Sequence, residues 1–201
     1  MKYPNFSEEK KLWKKGYKFV VGLDEAGRGP LAGPVVAGAV MVKPYKIFDS
    51  SVRDSKLLSP KKREEVYNFF KNHPDIKWGI GIVSEKIIDR INILEATKLA
   101  MKKSIKNLKS DYLILDGSFK INSQIPQKSI IKADQKVFSC ALASIFAKVT
   151  RDRLMKKYHK KYSHYGFDKH KGYPTKAHFA NLRKFGSCKI HRKSFHPVSE
   201  A

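Results

Sequence analysis

The chain has 201 residues and is strongly basic, with 42 Lys and Arg against 18 Asp and Glu and a formal net charge of +24. Its length suits one domain with a sizeable core, and its charge favours an anionic partner, nucleic acid ahead of a membrane surface. Two cysteines are too few for a disulfide framework, and the sequence has neither a signal-peptide pattern nor an apolar run of roughly 18 residues. We expect a soluble, cytoplasmic, monomeric protein.

The first predicted elements form a hairpin. Residues 1–16 are predicted to be a polar lead-in with a short helix over 8–14. An apolar strand over 19–23 follows, rich in β-branched and aromatic residues, and a second apolar strand spans Val35–Val42. The two strands are predicted to pair antiparallel, and the long turn between them carries the unusual residues.

Two adjacent carboxylates, Asp24 and Glu25, stand at the end of the first strand and run directly into Gly27, Arg28 and Gly29. Carboxylates are ligands for hard cations such as Mg²⁺, and glycines with an arginine can approach a phosphate closely. Because successive strand residues point to opposite faces, the two acids could share a site only where the strand ends or bulges. The alternative is a solvated turn, which is the usual setting of an arbitrary Asp-Glu pair.

The middle of the chain alternates helices and strands. After a loop that contains Asp54, Ser55 and Lys56, Ser59 and Pro60 have the pattern of a helix N-cap and first turn. The further predicted elements are a helix to about residue 72, a strand over Ile76–Val83, a short helical piece capped by Ser84, and a longer helix capped by Asn92 that runs to about residue 109.

Two more acids follow later predicted strands. A buried strand over 111–115 ends on Asp116, and a strand over 129–132 is followed by Asp134. A long helix is predicted over 136–158, with small residues on its early turns, and a last helix runs from Thr175 to about residue 185 before Gly186. The pattern indicates one α/β domain over 17–201 with a helical C-terminal appendage from about residue 159.

If the sheet brings Asp24, Glu25, Asp116 and Asp134 together, four carboxylates would repel one another unless cations neutralise them. Two divalent ions at roughly 3.5–4 Å would do so and would hold both the attacking and the leaving oxygen of a phosphodiester. The spacing in the sequence alone does not establish this convergence.

Six segments occur in a fixed order: GLDEAGRGPLAGPVVAGAV, DSKLLSP, YLILDG, KADQKVFSCALASIFAKVTRD, HKGYPTKAH and HRKSF. Together they resemble the motifs of ribonuclease HII, a type 2 ribonuclease H, over residues 16–198. The resemblance implies a ribonuclease-H-like mixed β-sheet flanked by helices. It also implies an Mg²⁺- or Mn²⁺-dependent endonuclease that cuts the RNA of RNA–DNA hybrids and incises 5′ to single ribonucleotides in duplex DNA, leaving 3′-hydroxyl and 5′-phosphate ends, as in ribonucleotide removal during DNA replication and repair.

The resemblance also assigns roles to residues. The implied catalytic metal ligands are Asp24, Glu25, Asp116 and Asp134. The implied substrate-binding residues are Gly27, Arg28 and Gly29, which match a motif that reads the ribose 2′-hydroxyl, Lys56 as a phosphate contact, Tyr173 against the sugar at the RNA–DNA junction, and Lys148 and Arg151 near the substrate.

The chain departs from the family pattern at two places. Residues 138–146 include Phe138, Cys140, Leu142 and Phe146 where small residues are more common, which we expect to alter core packing and not chemistry. Cys188 stands in the last motif where other residues are usual, which leaves the docking of the final residues open.

Several alternatives remain. His170, His191 and His196 could be metal ligands, but an all-carboxylate site suits Mg²⁺, and we interpret these histidines as surface or supporting residues. A non-catalytic nucleic-acid-binding domain would explain the charge but not the four acids. Ribonuclease HIII normally has a long N-terminal substrate-binding domain, whereas only 23 residues precede Asp24 here.

Overall fold

A five-stranded mixed β-sheet forms the centre of the computed structural model, which describes residues 3–46, 48 and 58–200. Its strands are β1 (Val20–Ala26), β2 (Val35–Val42), β3 (Ile76–Val83), β4 (Tyr112–Asp116) and β5 (Gln127–Ile130). They lie in the order β3-β2-β1-β4-β5. Strand β1 pairs antiparallel with β2 and parallel with β4, β2 pairs antiparallel with β3, and β4 pairs parallel with β5. The predicted hairpin and the predicted mixed sheet are therefore confirmed.

The helices of the described segments are α1 (Ser7–Lys14), α2 (Pro60–Lys71), α3 (Glu85–Ser104), α4 (Phe138–Lys161), α5 (Phe167–His170) and α6 (Lys176–Phe185). Short 3₁₀ turns cover Ala133–Gln135, Ser163–Tyr165 and Val198–Glu200. No helix within the described ranges combines the length and the apolar character needed to cross a membrane.

The two faces of the sheet bury separate apolar clusters. On one face, side chains such as Val20, Val40 and Ile114 pack against α1, α2 and α4. On the other face, Val21 and Leu113 belong to the cluster that includes the buried side of α3. This alternation follows from the period of two along a strand, and it fixes the register of the strands. The fold thus has helices on both faces of the sheet.

Helix α4 lies unusually close to the sheet because two strand positions lack a side chain. A Cβ at Gly22 would lie 2.5 Å from the Cys140 backbone nitrogen, and a Cβ at Gly38 would lie 2.3 Å from the Ala143 carbonyl oxygen. The small residues predicted for the early turns of α4 are the counterpart of this contact. Close packing therefore holds the N-terminal half of α4 against β1 and β2.

The N-terminal segment, expected to be a polar lead-in, also contributes to the core. Phe6, Leu12 and Trp13 are buried in the cluster under α4. The buried Glu9 carboxylate accepts hydrogen bonds from the Ser139 backbone N–H at 2.9 Å and from the Ser139 hydroxyl at 2.8 Å. Helix α1 is therefore attached to the first turn of α4 by a buried polar contact as well as by apolar packing.

The predicted helix boundaries can be compared residue by residue. The Ser59 hydroxyl accepts a hydrogen bond from the Lys62 N–H, and Thr175 does the same for the His178 N–H, so both predicted N-caps are confirmed. Asn92 caps through bonds from the Leu94 and Glu95 N–H groups, but it does so at a kink inside α3, where its φ is +63°.

Candidate active site

Parallel pairing brings Asp24 and Asp116 to one edge of the sheet. Leu23 lies opposite Leu115 in the β1–β4 register, so the two aspartates are the next residues along adjacent strands. Both strands run in the same direction and lead to the same edge of the sheet. At this edge the Asp24 carboxylate accepts a 2.7 Å hydrogen bond from the Glu25 N–H.

Asp134 reaches the same place from the 3₁₀ turn Ala133–Gln135, which follows β5 and leads into α4. The turn is attached to the site by the Ala133 N–H, which donates to Asp116 Oδ1 at 2.8 Å. Asp24, Asp116 and Asp134 each place a carboxylate oxygen within 4.8 Å of the others. Three acids separated by up to 110 residues in the sequence therefore converge.

The electrostatics of this cluster oppose ionisation without a counter-charge. Burial raises the pKa of Asp24 well above its usual value, and the charges of Glu25 and Asp116 raise it further. The Ser144 hydroxyl acts in the opposite direction by hydrogen bonding to the Asp24 carboxylate. A bound divalent cation would reverse the repulsion, and an all-oxygen donor set of converging carboxylates fits Mg²⁺ or Mn²⁺.

Glu25 lines the same cleft but lies outside the triad of converging oxygens. Its Oε1 is 3.5 Å from an Arg28 guanidinium nitrogen, and Arg28 is also within 5.8 Å of the Phe119 ring centroid. Strand β1 neither ends nor bulges between the two acids, because Asp24 lies opposite Gly38 and Glu25 opposite Ala37 on β2. Glu25 accordingly stays apart from the three converging carboxylates, as the alternation of side chains along a strand predicts.

The Gly27–Arg28–Gly29 turn forms one wall of the cleft. Gly27 has a φ of +99°, and a Cβ there would lie 2.1 Å from Arg151 Nε, so only glycine fits this position. A Cβ on Gly29 would meet no atom within 4 Å, which means that this side of the turn opens toward solvent. Backbone groups of the turn are thus accessible to a ligand that approaches the acids.

Tyr173 and Lys148 also line the cleft. The Tyr173 side chain is 39% exposed, and Lys148 Nζ lies 5.7 Å from the centroid of its ring. Lys148 also forms a 2.8 Å ion pair with Asp152 one turn further along α4. Both residues line the cleft together with the acids, and their binding of substrate, implied by the family resemblance, stays a prediction.

Arg151 has a different position from the one expected. Its side chain is fully buried, and its guanidinium donates to the carbonyl oxygens of Pro34 at 2.9 Å, Lys171 at 3.0 Å and Ala32 at 3.1 Å. Burial in this environment lowers the pKa of Arg151. The predicted contact with substrate is replaced by support of the two backbone segments that form the walls of the cleft.

Lys56, the expected phosphate contact, lies outside the described residues. The structure adds two residues that the sequence did not single out, Arg63 on α2 and Ser144 on α4, both of which line the cleft. Neither has a local sequence signal, since an arginine on an amphipathic helix and a serine in a run of small residues are ordinary.

The histidines of the C-terminal part bind one another and the main chain. His178 and His191 are buried, with their Nε2 atoms 3.0 Å apart, and the His170 ring stacks on His178 at 4.5 Å. His196 pairs with Glu200 at the surface. The interpretation of the three predicted histidines as surface or supporting residues agrees with these contacts.

The chain is similar in both sequence and fold to known proteins. Residues 21–198 match the family model for ribonuclease HII. A ribonuclease HII of Chlamydia caviae is 53% identical over 194 residues, which cover 96% of this chain and 91% of that protein. The crystal structure of ribonuclease H2 from Pyrococcus horikoshii OT3 superposes with a TM-score of 0.73 at 27% identity, covering 90% of this chain and 96% of the other. Bst-RNase HIII in complex with Mn²⁺ shares the fold at a TM-score of 0.64 and 16% identity, over 90% of this chain and 68% of that one.

Proposed function

Because the chain belongs to the ribonuclease HII family, and is accordingly an endoribonuclease that acts on RNA–DNA hybrids, we propose that it also incises duplex DNA 5′ to a single embedded ribonucleotide. The products would carry 3′-hydroxyl and 5′-phosphate ends. The observation that carries this proposal is the placement of the acid cluster, the Gly27–Arg28–Gly29 turn and Tyr173 around one cleft.

The acids would hold two divalent ions, Mg²⁺ or Mn²⁺, with Asp24, Asp116 and Asp134 at the base of the cleft and Glu25 at its rim. Such ions, when bound, activate a water nucleophile and neutralise charge on the leaving oxygen. The residues of the chain contribute position: the Ser144 hydroxyl orients Asp24 and the Ala133 N–H orients Asp116. Buried hydrogen bonds of this kind hold ligand oxygens in place before an ion arrives.

Selection of a ribonucleotide would be made by the Gly27–Arg28–Gly29 turn. A 2′-hydroxyl both donates and accepts hydrogen bonds, and it distinguishes RNA from DNA where backbone groups can reach it. The open space beside Gly29 and the fixed conformation of Gly27 support that contact. A deoxyribose would leave the polar groups of the turn without partners, which costs more than the loss of an apolar contact.

Tyr173 would select deoxyribose on the 3′ side of the ribonucleotide. Its exposed ring faces the cleft and has the cationic side chain of Lys148 near it. A ring pressed on a sugar would be hindered by an added 2′-hydroxyl. The enzyme would therefore prefer a junction between RNA and DNA over continuous RNA at this position.

The wider substrate contacts would be electrostatic. We assign phosphate contacts to Lys56, Lys148 and Arg63 and a supporting role to Arg151. The net charge of +24 provides general attraction to the duplex. We further propose that the protein acts as a monomer in the cytoplasm, where the free thiols of Cys140 and Cys188 would stay reduced.

The direct test uses three duplexes of one sequence with Mg²⁺ or Mn²⁺: one carries a single ribonucleotide, one carries its 2′-O-methyl analogue, and one is all DNA. We expect incision of the first alone, on the 5′ side, with a 3′-hydroxyl and a 5′-phosphate. Cleavage of a long RNA–DNA hybrid without cleavage of the single-ribonucleotide duplex would overturn the proposal and leave the family activity intact.

A further inference from the structure

Two consecutive residues, His191 and Arg192, are linked by hydrogen bonds to the two segments that carry the Gly27–Arg28–Gly29 turn and Tyr173. Both side chains are buried, at 2% and 0% exposure, although charged and titratable groups are rarely buried without a specific role. The segment that carries them pairs with the loop after the Gly27–Arg28–Gly29 turn. Arg192 N donates to Leu31 O and Gly33 N donates to Ile190 O, both at 2.8 Å.

Arg192 contacts the ribose-reading turn directly. Its guanidinium donates to the carbonyl oxygens of Gly27 at 2.6 Å, Arg28 at 2.8 Å and Gly33 at 2.9 Å. Burial lowers the pKa of Arg192 to about 9, so it still carries its charge at neutral pH. A planar guanidinium can hold several carbonyls in fixed directions, which a lysine ammonium cannot do. The conformation of the turn therefore depends on this side chain.

His191 is linked to the Tyr173 backbone through one intermediate ring, that of His178. The Cys188 N–H donates to His191 Nδ1 at 2.9 Å, His191 Nε2 lies 3.0 Å from His178 Nε2, and His178 Nδ1 lies 3.0 Å from the Tyr173 carbonyl oxygen. Tyr173 is thus linked by its backbone to the residue next to Arg192.

The direction of the protons in this chain is fixed by its two ends. An amide N–H can only donate, so His191 Nδ1 accepts and the proton of the neutral ring is on Nε2. That proton is donated to His178 Nε2, and the proton of His178 is then on Nδ1 and is donated to the Tyr173 carbonyl. A second proton on either ring would put two donors face to face. Burial and the neighbouring His178 accordingly lower the pKa of His191 to about 4.

We propose that His191 and Arg192 form one positioning unit for the two recognition segments of the cleft: Arg192 holds the Gly27–Arg28–Gly29 turn, and His191 holds the Tyr173 backbone through His178. The inference rests on the proposed function, because it assigns the recognition of the junction to Tyr173. It predicts different effects for the two members of the unit, because each holds a different segment: loss of His191 impairs selection of the junction, and loss of Arg192 impairs activity on any substrate that contains RNA.

The hydrogen-bond chain from the Cys188 N–H through His191 and His178 to the Tyr173 carbonyl is called the relay below. The test of His191 compares two variants that each keep one of the two hydrogen bonds that His191 makes in the relay. His191→Asn keeps an acceptor near Nδ1 for the Cys188 N–H but cannot reach His178, whereas His191→Gln places an amide N–H near Nε2. The readout is the ratio of kcat/KM on a single-ribonucleotide duplex to kcat/KM on a uniform RNA–DNA hybrid. We expect His191→Asn to lower this ratio about tenfold, as for a lost buried hydrogen bond, and His191→Gln to lower it less. The exposed His196→Asn is the control and should leave the ratio unchanged.

A double-mutant cycle shows whether His191 acts through the tyrosine. In a Tyr173→Ala background, His191→Asn should produce no further loss in the ratio, because coupled residues are not additive. If Tyr173→Ala lowers the ratio and His191→Asn does not, the inference is overturned and the proposed function stands. If Tyr173→Ala leaves the ratio unchanged, the proposed junction contact fails, and the role of His191 fails with it.

Arg192→Lys should lower kcat/KM on both substrates by similar factors, because each substrate contains a ribose that the Gly27–Arg28–Gly29 turn would bind. Arg183→Lys, which changes an exposed arginine, is the control. An equal effect of Arg192→Lys and Arg183→Lys would overturn the role of Arg192.

The unsubstituted protein provides a measurement that does not depend on activity or on folding of variants. Side-chain ¹⁵N NMR at neutral pH should find neutral His191 with its proton on Nε2 and neutral His178 with its proton on Nδ1. Any other tautomer, or a charged ring, would contradict the relay.

Discussion

Tyr173 is the residue at which recognition of the junction can be tested most simply, because its ring is 39% exposed at the cleft while its carbonyl is held by His178. Tyr173→Ala should lose far more cleavage of a single-ribonucleotide duplex than affinity for the duplex, and Tyr173→Phe, which keeps the ring, should lose much less. Cleavage rates and binding measured on the same substrate separate the two effects. Equal activity of the Ala and Phe variants would remove the packing role of the ring.

The buried imidazole of His191 should make the free energy of unfolding depend on pH. Its pKa is lowered from 6.5 to about 4 in the folded chain, so the unfolded chain takes up a proton first as the pH falls. Stability is therefore lost between about pH 6.5 and pH 4, by about 1–2 kcal/mol between pH 7 and pH 5. Besides burial, His178 and His170 oppose a positive charge on this ring, and the Cys188 backbone acts in the other direction.

Urea unfolding at pH 7 and pH 5 measures this change, and His191→Asn should reduce it while the contributions of His178 and His170, whose pKa values burial also lowers, remain. His196→Asn, which changes an exposed histidine, should retain it. An unchanged dependence in His191→Asn would show that the imidazole is not held neutral by its surroundings.

Individual site residues differ in how far the sequence could predict them. Asp24 and Asp116 follow apolar strands directly, and that local pattern predicts their place at the sheet edge. Arg151 and Arg192 could not be placed in this way, because a charged side chain on a helix or in a basic tail is usually exposed. Their burial depends on carbonyl groups more than 110 residues away in the sequence.

At the scale of elements, the contact between α1 and α4 tests whether the N-terminal segment belongs to the folded core. Glu9→Ala should destabilise the protein by about 1–3 kcal/mol, since the Ser139 N–H and hydroxyl lose a buried acceptor. Glu9→Gln should cost less, because its carbonyl oxygen can still accept and burial already raises the pKa of the Glu9 carboxyl.

Thermal and denaturant unfolding of these variants measure the contact, with Glu8→Ala as the control, since Glu8 pairs with Lys11 and Lys128 nearer the surface. If Glu9→Ala and Glu8→Ala destabilise the protein equally, the buried contact does not hold α1 in place.

Elements with strong end signals were predicted well. Ser59 and Pro60 mark the start of α2, and Ile76–Val83 was predicted over its full length. The strand before Asp134 was predicted two residues late, because its four residues carry little apolar pattern and its pairing with β4 decides its position. The short helical piece predicted after Ser84 and the longer helix predicted after Asn92 are both present, and α3 joins them across the kink at Asn92.

At the scale of the whole molecule, the net charge of +24 predicts binding that depends strongly on salt. Log K for a duplex should fall linearly with log salt concentration, with a slope of about −0.9 for each neutralised phosphate. Lys56→Ala should weaken binding uniformly across sequences and make the slope shallower by about one unit. Lys11→Ala, whose charge is already paired with Glu8, is the control. An unchanged slope and affinity in Lys56→Ala would leave Lys56 without a role in binding.

The central claim is that the converging carboxylates hold the ions that cleave beside a ribonucleotide. Asp134→Asn tests it most directly, because Asn keeps the size of a buried side chain within the cluster and removes its charge. Turnover of a single-ribonucleotide duplex should fall by orders of magnitude at low Mg²⁺, while affinity for the duplex largely survives. Cleavage at nearly the unsubstituted rate under these conditions would contradict the claim.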